Sequence, residues 1–183
     1  MEKVVEQGSA PESCGRLILG LDPGSALLGY GVIRQVGSEI RAVEYGAIST
    51  PKDMELAQRL ELLYQRLREL LGRLHPECAA VESLFFNVNV RTALAVGQAR
   101  GVALLACAQA GCGVHEYTPQ QVKQGVVGYG RAEKRQVQEM VRLLLRLEAR
   151  PRPDDAADAL ALAICHANAG GLQRAISLAL GKG

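Results

Sequence analysis

The chain contains no uninterrupted apolar run near the ~20 residues that a membrane span requires, so no transmembrane helix is expected. Residues 1–15 hold Glu2, Glu6 and Glu12 and lack the apolar stretch of a secretory signal, which predicts a cytoplasmic protein with a disordered N-terminal extension. The five cysteines (Cys14, Cys78, Cys107, Cys112, Cys165) are odd in number and form no C-x-x-C, which argues against a disulfide framework or a thiolate zinc site. Reduced, mostly buried thiols are the expectation. The three histidines, His75, His115 and His166, are far apart and form no H-E-x-x-H, so a histidine-built metal centre is not expected. What remains is ordinary for a packed protein: 183 residues, 48% hydrophobic and 22% charged, enough for one domain.

Neither sign of charge dominates, since 21 Lys and Arg face 19 Asp and Glu. The distribution is uneven. Residues 120–152 carry eight bases (Lys123, Arg131, Lys134, Arg135, Arg142, Arg146, Arg150, Arg152) against three acids (Glu133, Glu139, Glu148). Such a segment is either a phosphate-backbone footprint, driven by counterion release, or a solvated helix face with long basic side chains lying along it.

Leu17–Asp22 is a short apolar run that ends in an acid and then Pro23-Gly24, the pattern of a buried strand followed by a turn. Residues 29–36 and 40–50 continue as strands across Gly37-Ser38, and three tightly joined strands imply antiparallel neighbours. Between Met54 and Leu74 the leucines at 56, 60, 63, 67, 70 and 74 step by four and three, which predicts an amphipathic helix. Cys78–Glu82 is a second apolar run ending in an acid. A helix over about 92–109 follows, rich in Ala and Gly, and it either packs on the sheet or serves self-association. Residues 114–117 read as a strand, Thr118-Pro119 as the start of a short helix with Pro in its first position, 131–147 as an amphipathic helix, and 155–168 as a last helix. Gly170-Gly171 then leads into a C-terminal tail over 171–183, leaving 16–170 as the folded domain. The fold class is α/β, a mixed sheet with helices on its faces.

Asp22 and Glu82 each terminate a hydrophobic strand, where a carboxylate loses hydration unless it is paired or binds a cation. Ligands of open α/β sheets collect outside the carboxyl ends of strands, so these two acids are candidate neighbours. Asp155 and Asp158 are spaced i, i+3 on the first turn of the last helix and share a face. Either aspartate alone is explained by helix capping. Four converging carboxylates are not, because they repel one another and raise their own pKa values. Hard divalent cations such as Mg²⁺ or Mn²⁺ bind such oxygens, and two of them about 4 Å apart can promote in-line displacement at phosphorus. With the basic segment, this predicts metal-dependent phosphodiester hydrolysis.

A set of short motifs now carries a resemblance. Gly20-Leu-Asp-Pro-Gly-Ser25 with Gly29-Tyr-Gly-Val32, Val81-Glu82, Gln98-Ala-Arg-Gly101, Gln121-Val-Lys-Gln124 with Val127-Gly128, Ala132-Glu-Lys134 and Asp155-Ala-Ala-Asp-Ala-Leu160 resemble, in order over residues 16–168, the RuvC Holliday-junction resolvases. The resemblance implies a ribonuclease H-like fold with a five-stranded mixed sheet and a homodimer that nicks two opposed strands of a four-way DNA junction. The nicks leave 5′-phosphate and 3′-hydroxyl ends, and the RuvA–RuvB branch-migration complex is the implied partner. It further implies that Asp22, Glu82, Asp155 and Asp158 hold two Mg²⁺ ions (Mn²⁺ being an alternative), the D-A-A-D pattern selecting Asp155 over Asp154. Phe85 matches an aromatic that stacks on junction bases, and Lys123 and Lys134 match basic residues beside the scissile phosphate. Arg91, Arg131 and Arg135 are further candidates for contact with DNA phosphates on charge and position alone. An actin- or sugar-kinase-like ATPase also opens with Asp-x-Gly at a strand end, but the sequence shows neither the second glycine-rich phosphate loop nor the second lobe it needs. A junction-binding protein without catalysis is the non-enzymatic alternative.

Overall fold

The computed structural model describes residues 3–4, 15–24, 27–51, 53–83 and 90–179. Strands β1 (Lys3–Val4), β2 (Arg16–Pro23), β3 (Leu27–Val36), β4 (Glu39–Ser49), β5 (Cys78–Glu82) and β6 (Gly113–Tyr117) form one sheet in the order β1-β4-β3-β2-β5-β6. β2, β3 and β4 are antiparallel, as their tight connections require, whereas β5 and β6 run parallel to β2 and are reached through helical crossovers. The five expected strands are all present. The sixth, β1, pairs only two residues with β4 and falls in the expected disordered extension, most of which lies outside the described residues.

Alternation along the strands sends side chains to two cores. On one face Leu19, Leu21, Leu28, Tyr30 and Val32 pack under α1 (Leu56–Leu74) and α2 (Val90–Gln109). Leu63, Leu67 and Leu70 of the predicted leucine stripe are buried there. On the other face Ile18 and Ile33 meet α3 (Pro119–Val127), α4 (Lys134–Leu144) and α5 (Asp154–Ala179). Thr118 caps α3 with Pro119 in its first position. Its hydroxyl accepts from Gln121 N at 3.1 Å, and Gln121 Oε1 accepts from Thr118 N at 2.8 Å. α5 does not stop at Asn168, the expected end of the last helix: its backbone stays helical through Gly170-Gly171 to Ala179. Each glycine costs about 1 kcal/mol of helix propensity, which weakens a helix flanked by Ala, Leu and Arg without breaking it.

One buried charge sits in the first core. Glu44 on β4 is 2% exposed, accepts from the Tyr30 hydroxyl at 3.0 Å, and is gripped by both terminal nitrogens of Arg73 at 2.6 and 2.8 Å. The Arg73 guanidinium holds the Glu44 carboxyl below its ordinary 4.5. Arg73→Ala leaves this carboxylate buried without its cation and is expected to lower stability by about 3 kcal/mol. Urea denaturation at pH 7 measures it. Because a depressed carboxyl pKa stabilises the fold above the unfolded value and loses that effect on acidification, the gap to wild type should close as pH falls below 4.5.

Candidate active site

The site begins with strand register. β2 and β5 are parallel neighbours with Leu21 opposite Val81, so the next residue on each strand, Asp22 and Glu82, lie side by side at the carboxyl end. Glycine brings in the second pair of acids. Gly20, Gly29 and Gly31 all face α5, and a Cβ built on them would lie 1.8 Å from the Ala159 carbonyl oxygen, 2.1 Å from that of Asp155 and 2.7 Å from the Leu160 side chain. α5 meets this hollow with Ala156, Ala159 and Ala163, all buried. The helix therefore rests directly on the sheet backbone. Since Gly29 pairs with Asp22, Asp155 stands over the Asp22 position, and Asp158 follows one turn later on the same face.

The electrostatics agree with convergence. Burial, followed by repulsion from Asp158, Glu82 and Asp155, pushes the Asp22 carboxyl up to about 7. Burial and the charge of Asp158 raise Glu82, and burial raises Asp158 against the opposing pull of Lys134. Lys134 Nζ donates to Asp158 Oδ2 at 2.7 Å, and that contact raises the lysine in turn. A cleft of about 290 Å³ opens here, lined by Asp22, Glu82 and Asp158 together with Lys123 and Lys134. A neighbouring recess of about 220 Å³ shares Asp22 and Glu82 and reaches Ser83 and Arg100. Carboxylate oxygens that mutually raise their pKa values are a donor set suited to hard divalent cations, which relieve the repulsion and bind the ionised form.

The family model for crossover junction endodeoxyribonuclease RuvC matches residues 18–166. The chain belongs to the RuvC family. The Rubrobacter xylanophilus RuvC is 60% identical over 152 residues, covering 83% of this chain and 85% of that protein. The Chloroflexus aggregans RuvC is 62% identical over 149 residues, 81% of this chain and 91% of that one. Thermus thermophilus RuvC in complex with Holliday junction substrate superimposes with a TM-score of 0.83 at 38% identity, over 86% of this chain and 96% of that chain. The fold is thus α/β and ribonuclease H-like, and the protein is a metal-using nuclease of DNA recombination and repair.

Other RuvC motif residues fall into place unevenly. Lys123, from Gln121-Val-Lys-Gln124, lines the cleft and its charge acts on Glu82. Asp154, set aside by the D-A-A-D pattern, accepts from Arg152 Nη1 at 3.0 Å. Arg131 and Arg135 are exposed beside the start of α4. Arg91 lies in the first turn of α2, its side chain outside the described part, and Phe85 lies outside the described residues altogether. Besides Lys134, half of the segment's bases face acids, within it or outside it: Arg142 and Arg150 face Glu139, Arg146 faces Glu39, and Arg152 faces Asp154. Lys123, Arg131 and Arg135 make no ion pair among the described residues.

Two features escaped the sequence. Arg100, inside Gln98-Ala-Arg-Gly101, is a partly buried cation that pairs with Glu116 at 2.7 Å, keeps its Nε without a partner, and lines the recess beside Asp22. The expectation of scattered histidines is also corrected, because His115 and His166 stack with ring centroids 4.4 Å apart and Cys78 joins them. Burial pushes the Cys78 thiol up to about 11 and the His166 imidazole down to about 4. The signal was absent because the three residues come from three elements that only strand register brings together. The thiol expectation holds for the described cysteines, Cys78, Cys107, Cys112 and Cys165, which are free and buried, while Cys14 lies outside the described residues.

Lys134 offers a direct test of the electrostatics. Its charge lowers the proton affinity of Asp22, Glu82 and Asp158, so Lys134→Met should raise all three carboxyls further. Single-turnover cleavage is expected to fall by about 100-fold or more, the effect of removing one positioned electrostatic group. The acidic limb of the rate–pH profile should move to higher pH, with partial recovery in Lys134→Arg.

Proposed function

We propose that residues 16–170 form a nuclease domain that resolves four-way DNA junctions by paired symmetric nicks. Asp22, Glu82, Asp155 and Asp158 hold two divalent cations, Mg²⁺ or Mn²⁺. The observation that carries this is the grouping of Asp22, Glu82 and Asp158, from β2, β5 and α5, around one cleft that Lys123 and Lys134 also line, with Asp155 near enough for its charge to act on Asp22. When bound, the cations supply Lewis-acid activation of water and stabilise the departing 3′ oxygen. Asp22 would be the central donor of the set, because each of the other three carboxylates acts on it. Glu82 closes the side toward β5, and Asp155 and Asp158 close the side toward α5. Lys123 and Lys134 attract the scissile phosphate and offset negative charge that grows on it during displacement. Phe85 supplies a stacking face for junction bases, and Arg91, Arg131 and Arg135 contact flanking phosphates.

Two opposed cuts call for two sites related by a two-fold axis. α2 supports that arrangement. Its Ala99, Ala103 and Cys107 are buried, while Leu94 and Leu105 are 64% and 52% exposed on another face. Between them Gly97 and Gly101 have nothing within 4 Å of an added Cβ, so a second α2 can approach closely along this stripe. Leu105→Arg is expected to give a monomer in sedimentation and to abolish paired nicking. The protein works in the cytoplasm, with the RuvA–RuvB complex as partner; no described helix is long and apolar enough to cross a membrane.

The deciding experiment incubates the protein with end-labelled fixed and mobile four-way junctions, with and without Mg²⁺ or Mn²⁺. Paired nicks that a ligase can seal are expected only with metal. Junction binding without nicks under every metal condition would overturn the catalytic reading.

A further inference from the structure

A second cluster on the α5 face of the sheet is unused by junction cleavage. On β5, Cys78 and Ala80 point to the same face as Glu82, and His115 of β6 pairs with Ala80, so Cys78 and His115 lie on a common face of adjacent strands. His166 of α5 comes down on them. Its Nε2 lies 3.2 Å from Cys78 Sγ, its ring stacks on that of His115, and one ligand atom from each of the three residues lies within 4.8 Å of the others. The other imidazole nitrogen, His166 Nδ1, is 2.7 Å from the Tyr117 hydroxyl.

We propose that Cys78, His115 and His166 form a binding site for a borderline-soft divalent cation of the Zn²⁺ class, separate from the carboxylate centre. One thiolate and two imidazoles suit that class and not Mg²⁺. Tetrahedral bonds of about 2.3 Å to sulfur and 2.0 Å to nitrogen set ligand atoms roughly 3.5 Å apart, a spacing the cluster reaches with small side-chain rotations. Tyr117 supplies the outer contact that orients a ligating histidine: with Nε2 on the cation, Nδ1–H donates to the tyrosine oxygen. Cys78 and His166 are buried, whereas His115 is exposed on the sheet's edge strand and gives the ion a way in. On binding, the Cys78 S–H bond breaks, the proton passes to solvent, and the electron pair left on sulfur bonds the cation; no oxidant or reductant takes part.

The site is placed to act as a clasp. Cys78 is four residues before Glu82 on β5, roughly 13 Å at strand rise. His166 is eight residues after Asp158 on α5, about 12 Å at helical rise. An ion held here ties together β5, β6 and α5, the elements that carry Glu82, lead into the Lys123 helix, and carry Asp155 and Asp158.

Co²⁺ is the probe, added to the reduced full-length protein in excess Mg²⁺ so that the carboxylates are occupied. One equivalent is expected to produce a thiolate-to-cobalt charge-transfer band and the intense visible bands of four-coordination. These should persist in Asp22→Asn and Cys107→Ala and vanish in Cys78→Ser. In His115→Ala, an exposed position chosen to preserve folding, affinity should fall by about 100-fold or more. Zn²⁺ should raise the wild-type Tm and leave that of His115→Ala unchanged. Absence of the charge-transfer band in wild type, its persistence in Cys78→Ser, or its loss in Asp22→Asn would each overturn the proposal.

Discussion

Asp22→Asn is expected to reduce junction cleavage by about a thousandfold or more while leaving junction affinity within a few-fold of wild type. The first half follows from position: Asp22 is the acid on which the other three act, and losing its charge would remove the central donor of the proposed metal site. If those cations supply about 4 kcal/mol of transition-state stabilisation, their loss is a factor of about 10³. The second half follows because affinity for junction DNA rests mainly on phosphate contacts made by basic side chains, which the substitution leaves in place. Single-turnover cleavage and gel-shift titration on one fixed junction separate the two. Near wild-type cleavage by the variant would sink the metal assignment.

The same substitution has an opposite effect on stability. The Asp22 carboxyl is raised from 3.8 to about 7, so the folded chain holds its proton more tightly than the unfolded chain does. That contribution is fully present below pH 3.8 and is lost as pH rises through about 7, on the order of 4 kcal/mol in all. Without divalent metal, Asp22→Asn should therefore be more stable than wild type at pH 8 and nearly equal to it at pH 4. Added Mg²⁺ should raise the wild-type Tm far more than that of the variant. Denaturation in the presence of chelator across this pH range tests the sign.

Legibility in the sequence divides along a physical line. The α1 helix was readable because its leucines repeat within the element itself, and α3 because Thr118, Pro119 and Gln121 form a local cap. Asp22 and Glu82 were readable because a carboxylate closing an apolar strand is costly wherever that strand goes. Properties that depend on what lies opposite were not readable. Gly20, Gly29 and Gly31 look like ordinary strand glycines until α5 is found resting on them. The basic segment looked continuous because Glu39, which faces Arg146, is distant in sequence. Arg100 stood in plain view within a motif, but its role depends on the recess that β5 and α3 build around it.

Gly29→Ala should be among the most damaging single-methyl changes available, and its effect should reach the chemistry. Its new Cβ would lie 2.1 Å from the Asp155 carbonyl oxygen, 2.4 Å from the carbonyl carbon and 2.8 Å from Asp155 Cβ. None of these is the far end of a flexible side chain, so either the first turn of α5 lifts off the sheet or β3 bends away. Overpacking of this kind typically costs 1–3 kcal/mol, and a clash against backbone belongs at the upper end, about 3 kcal/mol. Since the displaced turn carries Asp155 and, one turn on, Asp158, cleavage should fall by about 100-fold at temperatures where the variant remains folded, because misplacement of about 1 Å is enough. The Mg²⁺ concentration for half-maximal cleavage should rise with it. Gly72→Ala in α1 is the control, since nothing lies within 4 Å of its added Cβ. The same methyl placed there should stabilise the helix by about 0.5–1 kcal/mol and leave cleavage unchanged. Equal Tm values for the two variants would mean that α5 is not seated on glycine, and the route by which its aspartates reach Asp22 would have to be sought elsewhere.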